Sequence, residues 1–150
     1  MRRENDWVVR PARPKDLEEV FSLESYWLFA PHWSKAQLEE ELKRTDSIFL
    51  IAEFSGSAIA YFIGRVFEGE LQVLSLSVSP RHLRRGGAER LLTEAFLKAR
   101  LKGCARVTLE VSERNLPALS LYQKWGFQIV GKRAKFYNDG SSAFLMDKLL

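Results

Sequence analysis

The strongest constraint on the fold lies between Ser47 and Ala99, where one hydrophobic period gives way to another. Ser47 to Glu53 reads as a strand, Ser55-Gly56-Ser57 as a turn, and Ala58 to Phe67 as a second strand. Glu68-Gly69-Glu70 turns the chain again into Leu71 to Val78, which Pro80 ends. Beyond a basic loop, Ala88, Leu91, Leu92, Ala95, Phe96 and Ala99 recur at helical spacing, and Gly103 is placed to stop that helix. A chain that alternates such strands with amphipathic helices has to bury both against one another, as layers of helix on sheet.

The flanking segments extend the same plan. Trp7-Val8-Val9-Arg10 reads as a short strand closed by Pro11. Pro14 suits a first helical position, with Asp16 in the first turn, and Leu17, Val20, Phe21, Trp27 and Leu28 predict one helix to about residue 28. Ser34 and Gln37 form a capping pair, and Leu38 and Leu42 continue a second helix. After the central block, Val107, Leu109 and Val111 alternate as a strand and Asn115 to Trp125 is a short helix stopped by Gly126. Gln128 to Lys135 and Ala143 to Leu149 are closing strands joined by Asn138-Asp139-Gly140. The expected order is β-α-α-β-β-β-α-β-α-β-β, an α/β domain with helices covering a mixed sheet.

At 150 residues the chain is read as a single domain, residues 1–150. It is 46% hydrophobic and 28% charged, which excludes the disordered and fibrous classes. The single Cys104 excludes an internal disulfide, and with two His no metal site is expected. Cys104, His32 and His82 are read as packing or surface residues. No segment approaches the roughly 18 apolar residues of a membrane span, and Met1-Arg2-Arg3-Glu4-Asn5-Asp6 lacks the apolar core of a signal peptide. No membrane partner is therefore expected, and the cytoplasm is the expected location.

The net charge is +4, but its placement matters more: Arg81, Arg84, Arg85 and Arg90 crowd the strand-to-helix junction. Main-chain N–H groups of such a loop, together with those of a first helical turn, form a concavity for anions. Gly86, Gly87 and Ala88 allow close approach of the backbone, and the arginines add charge, so a diphosphate fits. The same residues also suit a basic module that grips nucleic-acid phosphates, or a glycine-rich connection with solvated arginines. No Gly-Lys-Ser/Thr follows and no G-x-G-x-x-G is present, so neither nucleotide motif applies.

At this point the chain resembles the GNAT superfamily of N-acetyltransferases, over nearly its whole length. That family carries Q/R-x-x-G-x-G/A at this junction, where the chain has Leu83-Arg84-Arg85-Gly86-Gly87-Ala88, with Leu83 departing from the first position. Leu109-Glu110-Val111 and Asn115 through Phe127 are similar to the branch that acetylates protein N-termini, which includes the bacterial ribosomal-protein-alanine N-acetyltransferases. His32-Trp33-Ser34 and Phe136-Tyr137-Asn138-Asp139-Gly140 share that likeness, whereas Ser141-Ser142 stand where the branch carries an acidic residue.

The resemblance implies a fold with helices on both sheet faces and acetyl-CoA as cosubstrate, with no metal. Arg84, Arg85, Gly86, Gly87, Ala88 and Glu89 would hold the diphosphate. Leu76, Ser77 and Val78 match the strand end facing the pantetheine arm, and Asn115 matches a cofactor contact that can also cap its helix. Alternation puts Thr108 and Glu110 on the strand face opposite Val107, Leu109 and Val111. Glu110 is then the expected general base, and Tyr122 takes the family's general-acid role. Trp33 and Tyr137 are expected to flank the acceptor, although both could simply close the fold. The leading expectation is acetylation of a protein N-terminus, with a ribosomal protein as partner. A lysine or small amine is the alternative acceptor, and a nucleic-acid module or a non-catalytic acetyl-CoA sensor are the readings outside this chemistry.

Overall fold

The computed structural model describes residues 6–27 and 31–150. In chain order the elements are β1 (Trp7–Pro11), α1 (Leu17–Ser25), α2 (Lys35–Lys43), β2 (Ser47–Phe54), β3 (Ser57–Phe67) and β4 (Glu70–Val78). Then follow α3 (Gly87–Leu101), β5 (Arg106–Ser112), α4 (Leu116–Lys124), β6 (Gln128–Arg133) and β7 (Ala143–Leu149). Single 3-10 turns, Pro14–Asp16 and Pro80–His82, precede α1 and lead toward α3. The order is the one the sequence predicts, with two shorter elements. The first helix stops at Ser25 rather than near residue 28; Leu28 itself lies outside the described residues. The sixth strand ends at Arg133 rather than Lys135, because Lys135 turns into the left-handed region at φ 51°.

Among the described residues the strands form one seven-stranded sheet in the order β1-β2-β3-β4-β5-β7-β6. Every neighbouring pair is antiparallel except β4 and β5. The crossover between those two parallel strands is α3, as a βαβ connection requires. The sheet is covered on both faces. One core gathers Leu50, Phe62, Leu71, Leu91, Leu92, Phe96, Val107 and Leu109 with Leu119 and Tyr122, so α3 and α4 lie on that face. The other gathers Leu17, Val20, Leu23 and Leu38 with Phe49, Ile51, Tyr61 and Ile63, so α1 and α2 lie on the opposite face. Each of these large apolar side chains, fully buried, contributes roughly 1.5–3 kcal/mol relative to exposure.

Polar contacts fix where the helices begin. The Arg10 guanidinium of β1 grips both carboxylate oxygens of Asp16 at 2.7 and 2.8 Å and reaches Glu53 of β2 at 2.7 Å. Asp16 also accepts the N–H of Arg13 at 2.7 Å, so the start of α1 is riveted to the sheet edge. Ser34 and Gln37 form the reciprocal cap expected for α2: Ser34 Oγ accepts the N–H of Gln37 at 3.1 Å and Gln37 Oε1 accepts that of Ser34 at 2.8 Å.

Candidate active site

The site begins where two parallel strands part. β4 and β5 pair only over Glu70–Val73 and Arg106–Leu109. At that level β4 carries an extra residue: Ile63 faces Ser75 and Gly64 faces Val73, so Leu74 has no partner in β3. A bulge of this kind bends a strand and sharpens its twist. Gly64 accommodates it, since a Cβ there would lie 2.8 Å from Leu71 Cδ1 and 2.9 Å from the Phe62 ring. Beyond the bulge β4 stays with β3 as far as Val78, while β5 stays with β7 as far as Ser112. A wedge opens between β4 and β5.

The wedge has a polar main-chain edge. Ser79 donates its N–H to Ile59 O at 2.7 Å, which sets the alternation of the antiparallel ladder. Ser77 then directs its main-chain groups to β3, and Leu76 and Val78 direct theirs into the wedge. The side chains of Leu76 and Val78 pack on the α3 core, as the strand pattern requires. One wedge-facing carbonyl is already engaged: Val78 O accepts the indole N–H of Trp27 at 2.9 Å. Trp27, counted in the sequence as a helical core position, lies past the end of α1 and makes this bond instead.

The basic junction sits at the outer end of the wedge. Arg84 and Gly86 both have positive φ, 60° and 87°, which turns the loop sharply into α3. Gly86 is the N-cap, and the first intrahelical bond runs from Arg90 N–H to Gly86 O at 3.1 Å. The N–H groups of Gly87, Ala88 and Glu89 therefore have no acceptor within the helix, the arrangement that suits an anion at a helix N-terminus. Gly87 is small for another reason too: a Cβ there would stand 3.3 Å from the Trp7 ring. Arg90 stacks on that same ring at 5.1 Å, so its charge serves packing, while Arg81 and Arg84 stay exposed.

Glu110 and Tyr122 approach from opposite faces. Val107, Leu109 and Val111 belong to the α3–α4 core, so Glu110 points to the α1–α2 face. There its Oε1 meets Arg133 of β6 at 3.2 Å. Tyr137 of the β6–β7 hairpin senses the same carboxylate: burial first, and then the charges of Glu110 and Asp139, push its phenol above the ordinary value. On the α4 side Tyr122 is buried, with its ring edge-on to Phe127 at a centroid distance of 5.3 Å. Burial alone drives its phenol well above the usual range, so it stays protonated. Asn115 caps α4, its Oδ1 accepting Ala118 N–H at 3.3 Å, and thereby fixes the helix that carries Tyr122.

Trp33 is held differently. Its N–H donates to Glu24 at 2.6 Å and its ring packs against the α1–α2 core, beside the Glu41–Arg65 ion pair. Cys104 is buried in the main core, with burial pushing its thiol up, a packing residue as read from the sequence. Sequence reasoning missed Arg133, Trp27 and the buried Glu24. Only Glu24 left a signal: it stands four residues after Val20, a carboxylate on the apolar stripe of α1.

The parted strands leave an open main-chain edge at Leu76 and Val78 that leads to the N-terminus of α3, with Glu110 on one sheet face and Tyr122 on the other. Residues 14–127 match the family model described as the Acetyltransferase (GNAT) family. The chain belongs to the GNAT acetyltransferases. It is 29% identical over 141 residues, 93% of each chain, to a Bacillus subtilis protein provisionally named a ribosomal protein bS18-alanine N-acetyltransferase. It is also 29% identical to an N-alpha-acetyltransferase of Sulfurisphaera tokodaii, covering 94% of this chain and 92% of that one. Among solved structures, Ard1 from Thermoplasma volcanium superposes with a TM-score of 0.90 at 25% identity, over 97% of this chain and 98% of that one. As a GNAT acetyltransferase the chain is an acetyl-CoA-dependent N-acetyltransferase. The residues fit that cosubstrate: the open edge at Leu76 and Val78 suits the amides of a pantetheine arm, and the α3 N-terminus suits its diphosphate. Among the described residues no group of His, Cys, Asp and Glu is arranged to hold a metal, and no helix is long and apolar enough to cross a membrane.

Proposed function

We propose that the protein acetylates the N-terminal α-amino group of a protein, with Glu110 as general base and Tyr122 as general acid. One observation supports the reading: Glu110 lies on the α1–α2 face of β5, one residue past the level where β4 and β5 separate, and Tyr122 lies on the α3–α4 face. Acetyl-CoA supplies an activated acyl thioester. The chain supplies the rest. An α-amino group titrates near 8 and a lysine near 10.4, so at neutral pH either must give up a proton, the α-amine more readily. Glu110 is placed on the acceptor side to take that proton, directly or through water, once the ammonium displaces Arg133 from it.

Burial keeps Tyr122 protonated but also makes it a weaker acid, so its hydroxyl serves the departing sulfur, whose thiol has an ordinary value near 8.5, first as a hydrogen-bond donor and gives up its proton only as charge develops there. The Leu76 and Val78 main chain aligns the pantetheine arm, and an N–H there polarises the acyl carbonyl. Arg84, Arg85 and the N–H groups of Gly86 through Glu89 hold the diphosphate, and Asn115 adds a contact beside the cap it makes. Trp33 and Tyr137 belong to the two walls that the acceptor passes. The relatives described above, one named an N-alpha-acetyltransferase and one provisionally named a ribosomal protein bS18-alanine N-acetyltransferase, support this choice of amine, and a ribosomal protein is the first substrate to test.

The test is turnover of acetyl-CoA against N-terminal peptides, N-blocked peptides bearing lysine, and polyamines. Turnover with the N-terminal peptides is expected. Activity confined to lysine or polyamines overturns the acceptor assignment.

A further inference from the structure

Of the three buried carboxylates among the described residues, Asp16 and Glu41 meet arginines, and Glu24 meets a tyrosine hydroxyl instead. Glu24, in the last turn of α1, is 1% exposed. Its Oε1 accepts the hydroxyl of Tyr61 in β3, and that hydroxyl also hydrogen-bonds Ser75 Oγ in β4 at 2.6 Å. Its Oε2 accepts the N–H of Trp33 at 2.6 Å, one residue before the Ser34 cap of α2. Burial pushes the Glu24 carboxyl up, and the hydrogen bonds from Tyr61 and Trp33 N–H pull it back. A buried carboxylate is tolerated only when its oxygens are satisfied, so these four residues stand or fall as a unit.

The position of this unit gives it a use. Ser75 is the residue that resumes the β3 register after the bulge at Leu74, and its side chain faces the α1–α2 side. Val73 is level with Leu109, so Ser75 stands at the level of Glu110, across the open wedge and on the same face. An acceptor approaching Glu110 from that face has β7 and β6, with Arg133 and the Tyr137 hairpin, on one side and β4, with the end of α1 and the start of α2 anchored to it, on the other. Those ends are tied to the open half of β4 twice: Glu24 and the Trp33 N–H through Tyr61 to Ser75, and the Trp27 indole to Val78 O.

We propose that Glu24 is a positioning residue for the acceptor: by holding the Trp33 main chain against Tyr61 and Ser75, it sets the wall opposite the hairpin at the height of Glu110. This rests on the acceptor assignment made above. Glu24 touches neither acyl group nor amine in this role. It acts through the placement of the Trp33 main chain at the start of α2, so its loss is felt in acceptor binding rather than in the acyl-transfer step.

The experiment is steady-state kinetics of the full chain with an N-terminal peptide, comparing wild type with Glu24→Gln, Tyr61→Phe and the double variant. Glu24→Gln keeps the shape and removes the charge, and Tyr61→Phe removes one donor should the glutamine variant fold poorly. The acceptor KM is expected to rise on the order of tenfold in Glu24→Gln, the effect of one hydrogen bond to a charged group. The rise in Tyr61→Phe is smaller, and the double variant is no worse than Glu24→Gln alone. The acetyl-CoA KM and kcat stay at wild-type values, and hydrogen exchange at the Trp33 amide quickens. An unchanged acceptor KM in an active Glu24→Gln enzyme overturns this inference alone. So does a parallel rise in both KM values that follows a fall in Tm, since that marks a structural role. A wild-type enzyme inactive on every N-terminal peptide overturns the acceptor assignment, and this inference with it.

Discussion

Glu110 is met by a guanidinium at 3.2 Å, so an incoming ammonium replaces one cation by another at the same carboxylate. The two side chains are 55% and 27% exposed, and pairs with that exposure contribute at most about 1 kcal/mol. Arg133→Gln is therefore expected to lower the acceptor KM by no more than about fivefold, measured at low ionic strength where the pair is strongest. Glu110→Gln should lower kcat on the order of 100-fold and change the pH–rate profile between about pH 6 and 9; identical profiles would remove Glu110 from the chemistry. The face of Glu110 could be read from sequence, because strand alternation has a strict period. Arg133 could not. β7 lies between β5 and β6 in the sheet although it follows both in the chain, so the two residues meet diagonally across a strand whose position no local pattern reveals.

Local chemistry announces element boundaries that carry a cap or a positive-φ glycine better than those set by tertiary contacts. The Ser34–Gln37 cap, the stop of α3 at Gly103 and the stop of α4 at Gly126 all lie where the sequence places them, and both glycines have positive φ, 84° and 91°. The end of α1 was misjudged because Trp27 continues the apolar spacing, yet its indole finds a carbonyl of β4, a tertiary partner outside any helical pattern. The end of β6 was misjudged because Lys135 adopts a left-handed backbone that lysine seldom prefers. The α3 junction was legible as a glycine-bearing turn from strand into helix, but the reason for Gly87 was not: it abuts Trp7, a residue eighty positions away. Gly86, by contrast, is needed for its φ of 87°, and a Cβ there would meet only Arg90 Nε at 4.0 Å. Gly86→Ala should accordingly cost about 1 kcal/mol of stability through backbone strain. It should also weaken acetyl-CoA binding as the first turn of α3 shifts, which thermal unfolding with and without acetyl-CoA would show.

At the scale of the whole molecule, one sheet serves two purposes. Its paired half ties the two cores together, and its parted half leaves a wedge whose edges are the interior strands β4 and β5. The mixed sheet with helices on both faces was implied by likeness to a family, whereas the strand order and the wedge emerge only in the fold. The bulge at Leu74 that opens the wedge shows in no composition or periodicity, because it depends on Gly64 and Leu71 meeting across strands. Acid stability is likewise a property of the assembled fold. Burial works to raise the Asp16 carboxyl, but hydrogen bonds from Arg10 and from the Arg13 N–H outweigh it and hold it below the ordinary 3.8. A carboxyl depressed on folding stabilises the fold above its unfolded pKa, and that contribution is lost as pH falls through the lower, folded value. Asp16→Asn should thus lower Tm at pH 7 and flatten the fall of Tm below about pH 4; an unchanged acid limb would place the sensitivity elsewhere.

Transfer of an acetyl group to a protein's α-amine by Glu110 and Tyr122 is checked with one peptide carrying both a free N-terminus and an internal lysine, incubated with acetyl-CoA and either wild-type protein or Tyr122→Phe, and mapped by fragmentation mass spectrometry. Acetyl is expected on the α-amine alone. A rate on the order of 100-fold lower is expected for Tyr122→Phe at unchanged acetyl-CoA affinity. Acetyl found only on the lysine, or a Tyr122→Phe enzyme as fast as wild type, would contradict this assignment.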